Sequence, residues 1–260
     1  MQKVLYDASH EPERIGIVTL NHPQKRNALS TEMLLDLGEA LASVAAGDKV
    51  NAVVLRGAGP VFRSGHDLRE VREGTTPDMV KLFEVCEDVF QTMRRMPQVV
   101  IAEVHGIATA AGCQLVAGAD LAVASTAAKF ATPGVKIGLF CTTPAVFLSR
   151  AIPRKKAAEM LFTGEYMSAA DAQRFGLVNR VVAPEELEGA TLALARQVAA
   201  YSLETLGRGK QAFYRQLGMA DFQALAYATQ VMVGEAGLPD AQEGIAAFLE
   251  KREPVWTDRR

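Results

Sequence analysis

Residues 102–140 read AEVHGIATAAGCQLVAGADLAVASTAAKFATPGVKIGLF. An apolar strand breaks at His105-Gly106, and small residues then run from Ala108 to Gly112. An apolar helix over about 111–117 follows. A second strand over 119–124 and a short third over 129–132 lead into Pro133-Gly134. Small residues let a backbone approach a ligand closely. A helix start leaves N–H groups unpaired and aimed outward. Together these make an anion-binding cradle from main chain alone. The same letters also suit a helix buried tightly against a sheet, and on this stretch alone both readings stand.

Upstream, RIGIVTL (14–20) is β-branched and predicts a strand that ends at Asn21-His22-Pro23. Ser30 stands where an N-cap belongs, with Thr31 and Glu32 in the first turn. Leu34, Leu37, Ala40, Leu41 and Val44 repeat at helical spacing, and Gly47-Asp48 closes that helix. A short buried strand over 52–55 runs into a Gly/Pro loop and then VFRSGHDLR (61–69). A helix over 78–96 carries Val80, Phe83, Val89, Phe90 and Met93. Strand-loop-helix units recur without a strict sequence repeat. Downstream, Thr142-Thr143-Pro144 opens a helix and Pro153 takes the first position of another. Ser168 caps a short helix that stops at Gly176, and 177–182 is a last strand. Helices alone follow, over 184–201, 203–217, 222–235 and 239–252. The chain therefore divides into an α/β core over 1–183 and a helical lobe over 184–260, whose apolar surface suits covering a neighbouring subunit.

With 260 residues, 49% of them apolar, the chain is long enough for one large domain or two small ones. The formal net charge of −2 gives no general attraction to nucleic acid. Cys86, Cys113 and Cys141 form no CxxC, which argues against a disulfide framework or a metal site. The N-terminal segment MQKVLYDASHEPERIG lacks the basic-then-apolar order of a signal peptide, and the composition points to a cytoplasmic protein. The longest apolar region holds Glu103, His105, Gln114 and Asp120, which a membrane span tolerates poorly.

Six segments in order resemble the crotonase, or enoyl-CoA hydratase/isomerase, superfamily. They are LNHPQKRNAL (20–29), FRSGHDL (62–68), VIAEVHGIATAAGCQLVAGADLAVAS (100–125), FATPGVKIGLF (130–140), FTGEYMSAADAQRFGLVNRVV (162–182) and QEGIAAFLEKREPVW (242–256). The resemblance implies an α/β fold: a spiral of ββα units with a C-terminal all-helical trimerisation lobe, in a homotrimer or dimer of trimers. It implies an acyl-CoA thioester as substrate, with coenzyme A part of that substrate and no separate cofactor. Carried over by position, the backbone N–H groups of His66 and Ala111 form an oxyanion hole. Lys25 and Arg26 fall in the adenine-side loop, and Ser64, Asp67, Leu68 and Arg69 in the loop lining the nucleotide and pantetheine. Phe248 and Lys251 match tail positions that reach coenzyme A.

The family's hydratases use two glutamates around one water, and here those positions hold Gln114 and Gly134. Gln114 can hold a water but cannot take a proton, and Gly134 offers no side chain. Each missing acid–base group costs on the order of 100- to 10,000-fold in rate. Ordinary hydration is therefore not expected. The alternatives are a decarboxylase or thioesterase that needs only the oxyanion hole, and an acyl-CoA-binding protein without chemistry. Glu103 and Asp120 are the nearby carboxylates that could substitute as a base. Restoring glutamate at 114 and 134 together is expected to raise hydration where the pocket has room for both.

Overall fold

The structure is a computed structural model describing residues 2–47 and 49–257. Asp48, assigned above to the end of the first helix, lies outside the described residues. In chain order the elements are β1 (Val4–Asp7), β2 (Ile15–Leu20), α1 (Thr31–Ala46), β3 (Ala52–Gly57), β4 (Val61–Arg63), α2 (Leu68–Glu73), α3 (Thr76–Arg95), β5 (Val99–Val104), β6 (Ile107–Thr109) and α4 (Ala111–Gly118). There follow β7 (Leu121–Ser125), β8 (Lys129–Ala131), α5 (Thr142–Ala151), α6 (Arg154–Thr163), β9 (Met167–Ser168), α7 (Ala169–Phe175), β10 (Arg180–Val182), α8 (Leu187–Ala199), α9 (Leu203–Gln216), α10 (Asp221–Ala236) and α11 (Pro239–Glu250).

Two sheets share the strands. One has the order β1-β2-β3-β5-β7-β10, the other β4-β6-β8-β9. Only β1 and β9 run antiparallel to their neighbours among the described strands. The chain steps three times from the large sheet to the small one, at β3-β4, β5-β6 and β7-β8, and helices follow each step. That is the ββα spiral, and it stacks the three step-to-helix loops on one side.

Period-two alternation sorts the large sheet's side chains. Ile15, Ile17, Val54, Ile101 and Val123 pack against Leu187, Leu194 and Ala195 of α8. Their neighbours Val18, Leu20, Val53, Val100, Ala102 and Ala122 face the main core, with Leu34, Leu37, Val89, Phe90 and Leu115 from α1, α3 and α4.

Element ends follow capping chemistry. Ser30 Oγ accepts from Met33 N at 3.2 Å, and Ser168 Oγ from Asp171 N at 3.1 Å. α3 starts two residues earlier than the apolar spacing indicates, because Thr75 and Asp78 exchange bonds as a capping box. Pro153 is the N-cap of α6, one position before its expected place, since its extended backbone (ψ 136°) precedes the first helical residue. The last strand is shorter than 177–182. The Leu177 and Val178 amides donate to Ala172 O and so belong to the turn that closes α7.

α9 is pinned to the core through Lys210, whose Nζ meets Asp120 Oδ2 at 2.7 Å and Gln98 O at 2.8 Å. Tyr214 Oη donates to Asp120 Oδ1 at 2.7 Å. Among the described residues no helix is long and apolar enough to cross a membrane.

Candidate active site

Two loops meet at the site. The first leaves β4. Leu29 N donates to Gly65 O at 2.7 Å and Asp67 N to Leu29 O at 2.9 Å, so the segment 65–67 is held like one edge of a parallel ladder. Asp67 caps α2 by accepting from Arg69 N at 3.0 Å and pairs with Lys25 Nζ at 2.9 Å. That lysine holds the Asp67 carboxyl below the usual carboxylate range. Beneath the loop, buried Asn27 donates from Nδ2 to Ala58 O, Val61 O and Phe62 O at 2.9–3.2 Å, and its Oδ1 accepts from His22 N. It knots the 22–27 segment to β4.

The second loop opens α4. Ala110 has φ 51° and ψ −119°, a conformation that favours glycine. It is anchored by Ala110 N donating to Ala131 O at 2.9 Å. The first loop touches it closely. A Cβ placed on Gly65 (φ 92°) would stand 2.9 Å from Ala110 Cβ and 3.7 Å from Ala111 N. Among the described residues, neither the His66 nor the Ala111 amide donates to a protein acceptor.

Ser64, His66, Leu68, Ala111 and Gly134 line one cavity of about 450 Å³. Phe83 and Thr143 line both that cavity and an adjoining groove of about 750 Å³ between α3 and α5. Gln114 is in the groove. Its side chain is buried and Oε1 lacks a partner. The His66 ring packs edge-on against Phe83 at 5.0 Å, and burial pushes its pKa down to about 4, with Arg63 adding to the effect. The imidazole is therefore neutral at pH 7, and its Nε2 has no partner.

Gly134 is closed in. A Cβ there would overlap the Leu139 carbonyl oxygen and lie 2.8 Å from Cys141 Sγ. The stretch after the 3-10 turn at 133–137 folds over the space a side chain would need. This corrects the expectation for a restored pair of glutamates: position 114 has a groove beside it, but position 134 has no room. Burial raises the thiol of Cys141, which lines the cavity, and pushes that of Cys113, which lines neither space, up to about 12. Ser64, His66 and Asp67 make no mutual hydrogen bonds among the described residues, and Asp67 is turned to Lys25 and the α2 amide instead.

The remaining candidates scatter. Arg26 (φ 53°), on the 22–27 segment, and Arg69, in the first turn of α2, are exposed. Phe248 and Lys251 sit on or just after α11, which packs on α9 and α10 and lines neither space. Glu103 shares its strand face with Ile101 and points to α8, near Arg56 and Glu188, away from the cavity. Asp120 is the anchor of α9. Neither carboxylate reaches the site. Among the described residues no group of three or more His, Cys, Asp and Glu could hold a metal ion. Arg63 was not singled out by sequence reasoning. It is wholly buried beside the first loop, and its Nε and one terminal nitrogen lack partners. The available signal was a cation in a segment otherwise apolar or small.

The loop pair, the ββα spiral and the six ordered segments define a class, and the chain belongs to the enoyl-CoA hydratase/isomerase family, whose model matches residues 10–259. It is similar to enoyl-CoA hydratase domain-containing protein 3, mitochondrial, from Homo sapiens: 47% identical over 251 residues, 96% of this chain and 83% of that protein. A crystal structure of the human protein superposes with a TM-score of 0.94 at 44% identity, covering 98% of this chain and all of that one. A crystal structure described as enoyl-CoA hydratase from Mycobacterium smegmatis superposes with a TM-score of 0.94 at 48% identity, covering 98% and 99% of the two chains.

Proposed function

We propose that the chain binds an acyl-CoA thioester with its carbonyl oxygen between the amides of His66 and Ala111, and that its chemistry rests on that cradle without a general acid–base pair. The observation that carries this is the abutment of the two loops, with both amides left without protein acceptors and both residues on one cavity. Two preorganised donors facing an enolate-like oxyanion contribute about 3 kcal/mol each. Gln114 can orient a water but not take its proton, and no side chain fits at 134. Chemistry that needs an enolate but no base suits the site best. In decarboxylation of a malonyl-type thioester, the bond to the carboxylate breaks, its electron pair moves into the enolate, and carbon dioxide leaves.

Lys25, Arg26, Leu68 and Arg69 then face the nucleotide and pantetheine, with coenzyme A as part of the substrate. Phe248 and Lys251 reach it from a neighbouring subunit of a homotrimer or dimer of trimers. The apolar, exposed face of α10 and α11 supports that assembly, since α10 buries no residue within its own chain. The cytosol remains the proposed compartment on composition and the three free, buried cysteines.

The test is a panel of crotonyl-, malonyl- and saturated acyl-CoAs with products followed by mass. Carbon dioxide release is expected, with crotonyl-CoA hydrated slowly or not at all. Fast hydration of crotonyl-CoA overturns the reading of positions 114 and 134. Micromolar binding with no turnover leaves a binding protein. Ala111→Pro removes one cradle N–H at the first position of α4, where the helix itself does not use that donor. Turnover in a folded variant equal to the wild type's would remove Ala111 from the mechanism.

A further inference from the structure

Arg63 is the one arginine among the described residues that is both fully buried and without a hydrogen bond or ion pair. An unpaired buried cation is costly to a fold, so its place calls for a physical reason. It lies between the two segments that carry the cradle. It is three residues before His66, it pairs in register with Ala108 of β6, and its Cβ would be 2.9 Å from a Cβ placed on Gly112, the residue after Ala111. Among the described residues no group neutralises it. The titratable side chains near enough to interact are Cys86 on α3 and His66 on its own loop. The Cys86 thiol is pushed up to about 11 by burial and the His66 imidazole down to about 4, so both are uncharged at pH 7. The carboxylate of the same loop, Asp67, is engaged with Lys25. Burial lowers the Arg63 pKa only to about 9, and the guanidinium keeps its charge at pH 7.

We propose that Arg63 is an electrostatic positioning residue whose unpaired charge, set behind the cradle, favours an enolate over a neutral thioester in the site. The negative charge missing from the protein is the one the reaction generates. In a low-dielectric interior such a charge acts without contact, so Arg63 need not line the cavity. The inference rests on the cradle reading above and deepens it: it makes the site selective for acyl-CoA ligands that are anionic, or become so, next to the thioester.

The probe is acetoacetyl-CoA, whose C2–H ionises reversibly. The proton goes to solvent, the electron pair spreads over the thioester and ketone oxygens, and the enolate has its own near-ultraviolet band. The apparent pKa of the bound ligand is read from that band in wild type, Arg63→Met and Arg63→Lys, with thermal unfolding of each in parallel. Wild type is expected to lower the ligand's pKa below its value in water. Arg63→Met should raise it again, with the enolate fraction at fixed pH falling on the order of tenfold, one pKa unit. Arg63→Lys should retain most of the effect. Arg63→Met should be at least as stable as wild type, because an apolar chain of similar length replaces an unpaired buried charge. A folded Arg63→Met with unchanged ligand pKa overturns the proposal. So does Arg63→Lys behaving as Arg63→Met, or loss of the fold in Arg63→Met, which would make the residue structural. If acetoacetyl-CoA binds wild type with no change in its pKa, the cradle reading itself fails, a result distinct from the failure of Arg63 alone.

Discussion

At position 134 the decisive quantity is the space beyond a Cα. A single methyl there meets the Leu139 carbonyl and Cys141 Sγ, so Gly134→Ala is expected to destabilise by about 1–3 kcal/mol, measured by urea unfolding. Loss of less than a few tenths would mean the 137–141 backbone yields freely. Gln114→Glu, by contrast, should fold, and alone it should add little hydration of crotonyl-CoA. His66 gives a pH signature. Its folded pKa, about 4, lies below the ordinary 6.5, so the unfolded chain binds the proton more readily between those values. The neutral ring's contribution is complete above pH 6.5 and is lost as pH falls toward 4, by roughly 3 kcal/mol at most. The difference in melting temperature between wild type and His66→Gln should shrink across that window, and a constant difference would refute the assignment. The residues of the candidate site were partly legible. Gln114 and Gly134 declared themselves by their letters, whereas the closed space over Gly134 is made by a loop whose path no local pattern encodes.

At the scale of elements, the proposed cradle depends on two strained turns pressed together. Gly65→Ala puts a methyl 2.9 Å from Ala110 Cβ at φ 92°, and should abolish turnover and cost about 2 kcal/mol or more. Asn27→Ala removes the bonds that tie the 22–27 segment to β4. It is expected to cost about 2–3 kcal/mol, since three carbonyls and one amide lose their partner, with the loss read as a fall in melting temperature. Helices were legible where a cap was read: Ser30 and Ser168 announce theirs, whereas the Thr75 cap went unread and α3 was placed two residues late. The strand ends were less so. Residues 177 and 178 are apolar like a strand, yet their amides close a helix, and hydrophobicity does not distinguish the two. Nor did it reveal which face Glu103 takes. Only pairing of β5 with its neighbours sets that register.

Across the whole molecule, the Asp120–Lys210 pair joins the spiral to the helices beyond it, with the lysine 4% exposed. Lys210→Met strands a buried carboxylate and should cost about 3–5 kcal/mol, with α9 losing hydrogen-exchange protection first. Beyond α9 the helices present apolar surface outward. Phe222 is 90% exposed and Phe248 82%. If the proposed trimer forms through this face, Phe248→Glu is expected to lower the mass toward that of a monomer in analytical ultracentrifugation, and an unchanged mass would place the contact elsewhere. The crowding over residue 134 also bears on what the molecule can become. Trimming a side chain to glycine takes one nucleotide-level step, but once neighbouring chain has settled into the vacated volume, the reverse step meets a wall of main chain. Laboratory selection for hydration that relies on point changes at 114 and 134 will therefore stall. A route back begins with re-cutting the length of the 137–141 segment, and only then with the carboxylate.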